Sequence, residues 1–424
     1  MKKILILSYY APPCNLTAAN RINAWCHHLY KHNIYPIVVT RDWTGLELSE
    51  QDRLKNSGDQ VRIVKNLTHE IHYIPYHECI RDKAFQKSMN SSTWKMISKV
   101  LTLVSLVRGL ISIKTIRFAN LYDYTLNYLK SDKAISTLIV SVDPFEQLHF
   151  AYELKKKLPH INWIADYRDD WTTTEVHSTP FRFILQQFEK KWVATASCII
   201  SVSPYYTSKI SQLIGVPGET VYNGFDSESY TGLSNILLDS DKFVITYNGT
   251  LYPTQPIELF LDAFISVIKE TRGLKLFLQF PGLAFNKQSA LRVREQLKGY
   301  EDYFIIYDRL PKEVVIDMQL NSDLLLMIAH RGIKGIPSSK VFEYIGLRKK
   351  FLVCPGDEDI LEEIAVKSTM GIVCNTSESV KNKLQEMMEL KLKDSTQVVY
   401  DKESVMKYSV EHQVAHLARI IHKI

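Results

Sequence analysis

The rhythm of the apolar residues constrains this chain more than any other feature. Short apolar runs alternate with longer segments whose apolar side chains recur every three to four residues. That is how strands and their covering helices read in a parallel α/β unit. In the first half, strands are expected at Lys3–Ser8, Ile37–Thr40, Ile71–Pro75, Thr137–Val142, Asn162–Asp166 and Cys198–Ser203. Helices fit between them at about Thr17–His32, Trp94–Lys130, Pro144–Lys157, Pro180–Thr195 and Pro204–Ile214. Asp143-Pro144 and Ser203-Pro204 place proline where a helix begins. A turn cluster, Leu213–Gly218, and a polar stretch, Ser227–Lys242, then interrupt the pattern. A second series follows, with strands at Phe243–Asn248, Leu274–Phe280, Phe304–Tyr307, Asp323–Ile328, Lys350–Cys354 and Gly371–Cys374, and a last helix over about Val410–His422. The expected organisation is α/β throughout. Residues 1–226 form one doubly wound, Rossmann-like domain and 227–400 a second, while 401–424 closes the chain with a helix that packs back towards the first. In open parallel sheets, ligands sit outside the C-terminal ends of the strands. Two such domains are therefore expected to meet across a cleft, each serving one substrate.

Composition narrows the chemistry. With 46% apolar and 23% charged residues the chain is globular rather than disordered. Of its 16 glycines, only Gly45, Gly58 and Gly109 precede Gly215, so the first half has no glycine-rich phosphate loop. Residues 1–215 carry 27 Lys+Arg against 18 Asp+Glu, and the rest 25 against 28. A basic half and a mildly acidic half suggest two domains with different partners. Cys14, Cys26, Cys79, Cys198, Cys354 and Cys374 form no C-x-x-C pair, as expected of free thiols in a reducing compartment. The opening apolar run, Ile4–Leu7, is too short for a signal peptide. The longest nearly apolar stretch, Val100–Ile113, falls short of the ~20 residues a membrane span needs. A cytoplasmic protein is expected. Helix-turn-helix and zinc-finger spacings are absent from the sequence, so nucleic acid is not an expected partner.

Five segments carry motifs. The chain opens on Lys3–Pro13, followed by Arg21, Trp25, Leu29 and Ile37–Thr40. Asp166–Trp171 has the form D-x-R-D-x-W. Asn248-Gly249-Thr250-Leu251 follows the first strand of the second series, and Gly335–Tyr344 contains P-S-S-K-V-F-E-Y. Tyr408–Ile421 forms the end. In this order and spacing, the motifs resemble those of retaining nucleotide-sugar glycosyltransferases of family 4, with the GT-B fold, of the type that builds bacterial surface polysaccharide such as lipopolysaccharide or capsule.

The resemblance implies a nucleoside diphosphate sugar, a UDP-sugar by preference, bound by the second domain. It also implies a lipid-linked glycan or polysaccharide acceptor bound by the first, transfer with retention, and no metal or other cofactor. Glu343 is expected to accept hydrogen bonds from ribose hydroxyls, while the helix begun by Ser338 and Ser339 points its N–H groups at the diphosphate. Gly249 and Thr250 complete the donor loop. The sequence departs from the family twice. An earlier family glutamate falls on Gly335, and the Arg and Lys that usually follow the donor-loop glycine are missing from Gly249–Gln255. A leaving diphosphate needs positive charge, so Arg331, Lys334 and Lys340 are the expected substitutes. In the first domain, Asp166 and Asp169 are competing catalytic carboxylates, and Arg168 is expected to pair with either. Thr17 and Arg21, after the first strand, are expected at the cleft. Asp357-Glu358-Asp359 imitates a D-x-D metal motif but fits the acidic first turn of a helix.

Residues 81–117 hold eight Lys or Arg against Asp82 alone. Overlapping them, Trp94–Phe118 has polar residues recurring at Lys95, Ser98, Lys99, Thr102, Ser105, Arg108, Ser112 and Thr115, a narrow stripe of roughly helical period, and its remainder is mostly Trp, Met, Ile, Leu and Val. Two readings stand: a helix lying on an anionic membrane, peripheral on its inner face, or a helix buried against the first sheet. Two rival functions also stand. One is a GT-B nucleotide-sugar epimerase, for which no separate acid/base set is evident. The other is a catalytically weak nucleotide-sugar-binding subunit of an assembly complex, favoured by Gly335 and the missing cations.

Overall fold

A computed structural model describes the chain except for residues 15, 44–53, 89–90, 177, 231–237, 271–272 and 394–399. It divides into two compact units. The first comprises Met1–Tyr222 with Val414–Ile424, and the second Asn223–Gln413.

The first unit is built on eight strands: β1 (Lys2–Ser8), β2 (Ile34–Arg41), β3 (Arg62–Lys65), β4 (Glu70–Ile74), β5 (Thr137–Val142), β6 (Asn162–Tyr167), β7 (Cys198–Ser201) and β8 (Gly218–Thr220). Their order is β3-β4-β2-β1-β5-β6-β7-β8, parallel except for the β3–β4 pair. Ile4–Leu7 of β1 are fully buried, with Leu5 opposite Ile37 on one side and Leu138 on the other. A strand covered on both faces takes such an unbroken aliphatic run. The helix Pro204–Ile214 shows how the flanking signals act. Ser203 caps it by accepting the Tyr206 N–H, Pro204 takes the first position, and Gly215 ends it with φ 81°.

The second unit has β9 (Lys242–Thr246), β10 (Lys275–Phe280), β11 (Phe304–Ile306), β12 (Leu324–Met327), β13 (Phe351–Val353) and β14 (Gly371–Val373). They form a parallel sheet in the order β11-β10-β9-β12-β13-β14. Its core packs Phe243, Ile245, Leu278, Leu324 and Leu326 of the strands against Phe260, Leu261 and Phe264 of the helix Glu258–Glu270. Strand order reverses between β1 and β5 in one sheet and between β9 and β12 in the other. A crevice outside the strand ends at such a reversal is where this architecture places ligands.

All twelve expected strands are present. The short edge strands β3 and β8 were not anticipated, because three or four residues at a sheet edge leave little apolar alternation to detect. The expected helix Trp94–Lys130 is two helices, Ser92–Ile111 and Ala119–Ser131. Ser112 leaves the helical region at φ −143°, ψ 122°. The turn that follows tucks Ile116 and Phe118 into the core, a burial that a continuous helix would forgo. In the polar stretch Ser227–Lys242, Asp226 accepts from the Glu228 N–H and the Ser229 hydroxyl; 231–237 lie outside the described residues. The last helix is Val410–Lys423. Its residues from Val414 belong to the first unit, where the Ile421 carbonyl accepts from the Lys2 ammonium at 2.7 Å. Among the described residues, no helix is long and apolar enough to cross a membrane.

Candidate active site

In the second unit, three backbone segments converge beyond the C-terminal ends of β9, β10 and β12. After β9 comes Asn248-Gly249-Thr250; after β10, Pro281-Gly282; after β12, the loop leading to the helix Ser339–Gly346. Gly249 and Gly282 both have left-handed backbones, at φ 88° and 83°. A Cβ on Gly282 would lie 3.5 Å from the Gly249 Cα, and one on Gly249 would lie 3.5 Å from the Lys340 Nζ. Those distances are ordinary contact, so the left-handed conformation is what asks for glycine at both positions.

Lys340 sits in the first turn of that helix. Its ammonium donates to the Tyr247 hydroxyl at 3.4 Å and lies 4.5 Å from the Tyr247 ring centroid. Desolvation pulls its pKa down to about 8, against some support from Glu343. Glu343, one turn further on and half-buried, accepts from the Gln319 amide at 2.5 Å and the Asn248 amide at 3.3 Å. Two amides from two other elements thus fix its carboxylate. Ser338 occupies the N-cap position, and Ser339 is exposed beside it. The first N–H groups of a helix have no intrahelical acceptor and remain for a ligand. Thr250 lends its carbonyl to the Tyr247 hydroxyl at 3.1 Å. Arg331 and Lys334 are exposed on the loop before the helix, and among the described residues neither has an ion pair with a carboxylate. His330 lies on the same loop, bonded to Thr254 at 2.7 Å, with its pKa lowered by burial and by Lys340.

Gly335 now has a physical reason. Its φ is 83°, and its N–H donates to Asp359 at 2.6 Å. A glutamate at this position would be strained by that backbone. The Asp357 carboxylate accepts the N–H groups of Asp359, Leu361 and Glu362 at the start of the helix Ile360–Lys367. It acts there as a helix cap.

The first unit treats its candidates differently. Asp166 is the last residue but one of β6 and has no exposed surface. Both its oxygens are engaged, by Arg21 at 2.8 Å and by the Ser141 hydroxyl at 2.7 Å. Arg21 is 4% exposed and also donates to the Val221 carbonyl at 2.8 Å. Asp166, expected to be reactive, and Arg21, expected at the cleft, form a buried ion pair that ties the first helix to β6. Arg168 pairs with neither Asp166 nor Asp169, but with Asp143 at 3.3 Å. Asp169 is exposed. Thr17 opens the helix Thr17–His28 as its first residue, and the N-cap position falls on Leu16.

Sequence reasoning missed several contributors. Gln319 and Asn248 orient Glu343 from other elements, and no local spacing marks such a contact. Gly282 had a signal, a Pro-Gly turn at a strand end. Glu189, fully buried, accepts from the Tyr167 hydroxyl at 2.9 Å and from the Thr172 hydroxyl. Burial raises its pKa to about 7 despite those donors.

In sequence, the chain matches no family model and none of the curated proteins. Solved structures do match it along its whole length. Sucrose-phosphate synthase from Thermosynechococcus elongatus superposes with TM-score 0.65 at 10% identity, covering 100% of this chain and 99% of that one. The trehalose-6-phosphate synthase structure from E. coli bound with UDP-2-fluoro glucose gives 0.64 at 10% identity, with 100% and 99% coverage. HepE of Anabaena, in complex with UDP and glucose, gives 0.60 at 14% identity and full coverage of both chains. The fold is GT-B. In this GT-B chain the glycine-lined strand ends of β9, β10 and β12 lie at the reversal point of the second sheet.

Proposed function

We propose that the chain is a retaining glycosyltransferase that moves a sugar from a nucleoside diphosphate sugar, a UDP-sugar by preference, to a hydroxyl of a lipid-linked or polysaccharide acceptor. One observation carries this reading. At the β9/β12 reversal, a carboxylate held by two amides, a desolvated lysine, a helix N-terminus and two abutting glycines converge. Glu343 suits ribose hydroxyls. The backbone at Gly249 and Gly282 lets a diphosphate approach without meeting a side chain. GT-B neighbours that hold UDP-sugars support the choice of donor.

Transfer builds negative charge on the departing diphosphate, and fixed cations at that position lower the barrier. Lys340 would stand in the first turn of the helix, with Arg331 and Lys334 adding charge from the loop. These three supply what the loop Gly249–Gln255 lacks. The test is donor turnover, read as release of nucleoside diphosphate. Replacing Arg331, Lys334 and Lys340 together by Gln is expected to lower it about hundredfold or more. Unchanged turnover in a folded triple variant would contradict the assignment.

The helix Ser92–Ile111 supports a membrane-associated acceptor. It is turned inside out for a soluble protein. Met96, Val100, Leu103, Val104, Val107 and Ile111 are exposed and fall within an arc of roughly 100° at 3.6 residues per turn. The buried residues are Ser98 and Gly109 of the opposite side, and Thr102 accepts from Arg81 at 3.2 Å. Lys95, Lys99 and Arg108 are exposed beside the apolar arc, where long basic stems reach anionic headgroups. Of the two readings, the exposure favours the membrane over burial against the sheet. The chain is expected to float with phosphatidylserine vesicles, and Val100→Asp with Val107→Asp is expected to abolish flotation. Flotation unaltered by that pair would rule the helix out.

A further inference from the structure

The end of β5 carries a carboxylate that the donor chemistry does not use. Asp143 follows Val142 at the β1/β5 reversal, on the ligand side of the first sheet. Its φ is 97°, a left-handed backbone that favours glycine. Its carboxylate pairs with Arg168 at 3.3 Å, yet 47% of the Asp143 side chain is open to solvent. An ion pair that exposed stabilises little. The pairing therefore does not account for an aspartate at a position where glycine would sit without strain.

The carboxylate is crowded enough for desolvation to raise its pKa, with Asp169 and Glu146 adding to the rise and Arg168 and Arg117 opposing it. A group that is crowded and still half open to solvent lies in a hollow rather than on a crest. Arg168 directly follows β6. Its Nε donates to the Val142 carbonyl at 3.4 Å, its Nη2 to Asp143 Oδ2, and its guanidinium carbon lies 5.6 Å from the Tyr10 ring centroid. These contacts hold the guanidinium beside the carboxylate. Among the described residues, Asp143 Oδ1 and Arg168 Nη1 have no hydrogen-bond partner. An uncommitted acceptor and an uncommitted donor thus stand side by side. Phe145, two residues on and part-exposed, is the outer member of a ring stack. Trp171 lies behind it at 5.1 Å and 7°, and Trp192 beyond that at 6.2 Å and 10°. A carboxylate only accepts and a guanidinium only donates, whereas each hydroxyl of a sugar does both. The apolar C–H face of a sugar ring packs on an aromatic face. A few convergent polar groups beside an aromatic wall are the makings of a small-molecule site.

We infer that Asp143 and Arg168 bind a sugar unit of the acceptor through its hydroxyls, with Phe145 against the ring. The inference rests on the transferase reading, which supplies the acceptor. Binding to the full chain without donor tests it. The methyl glycosides of glucose, galactose, mannose and N-acetylglucosamine are titrated separately by saturation-transfer NMR, with UDP titrated in parallel. At least one glycoside is expected to bind, and which one identifies the sugar. Asp143→Gly, which suits the left-handed backbone, is expected to keep the melting temperature and to weaken that glycoside about tenfold or more. Asp143→Asn tolerates the same backbone and still offers an oxygen. It should weaken the glycoside less, and it serves if the glycine variant does not fold. UDP affinity is expected to stay unchanged in both variants, and a loss of both ligands together overturns the inference. Glycoside binding unaltered in a folded Asp143→Gly or Asp143→Asn variant overturns it as well. UDP binding by the wild type without binding of any glycoside overturns this inference alone. Glycoside binding that depends on Asp143, without UDP binding, overturns the donor reading alone.

Discussion

The two sheets reverse strand order in the same way, and the charged groups at the two reversals are arranged in opposite ways. At β1/β5 the charged groups have been spent on each other. Asp166 and Arg21 are sealed together, Ser141 fills the remaining oxygen, and Arg168 is drawn to Asp143. At β9/β12 the charges are left uncommitted. Lys340 has a phenol and a ring for company rather than a close carboxylate, Arg331 and Lys334 face solvent, and Glu343 is held by neutral amides. Pairing buried charges protects a fold, because a lone buried charge is costly. Leaving charges unpaired protects nothing and suits a site that a charged ligand completes. The difference separates a structural lock from a place suited to a charged ligand, although the sequence shows motif residues at both.

Breaking the lock should give the largest effect. Asp166→Ala or Arg21→Ala strands its partner in the core, at about 3–5 kcal/mol. The expected outcome is a melting temperature lower by roughly 10 °C. A catalytic Asp166 would instead lose turnover with its melting temperature unmoved, so thermal unfolding of these variants decides between the two roles.

A smaller effect should come from the open side. With its pKa at about 8, Lys340 in the free protein is charged below that pH and neutral above it. An anionic donor binds the charged form, so affinity should weaken by up to about tenfold per pH unit above 8. Lys340→Arg stays charged and should flatten the profile. A wild-type profile flat from pH 7 to 9.5 would show that Lys340 does not meet the diphosphate.

Much of the fold was legible because buried parallel strands are written as local runs. Ile4–Leu7 and Leu324–Met327 need no distant information to be recognised. The residues proposed for the donor are local for the same reason: Ser338, Ser339, Lys340 and Glu343 share one helix start. The first unit was harder to read where side chains act across elements. Asp166 at a strand end fits a reactive group until Arg21, 145 residues away in sequence, is seen on it. Gln319 and Asn248 were invisible as partners of Glu343 for that reason too. The outward apolar arc of Ser92–Ile111 was ambiguous, since periodicity gives a helix its two faces and not which one the core covers.

The central claim is that the β9/β12 reversal holds a nucleoside diphosphate sugar through Glu343. Calorimetric titration of the full chain with UDP-glucose and related nucleotide sugars tests it most directly, beside Glu343→Ala. The account predicts that one donor of the panel binds the wild type and that Glu343→Ala, in a variant that remains folded, weakens it about tenfold or more. Equal affinity in the folded Glu343→Ala variant, or no binding by any donor of the panel, would contradict it.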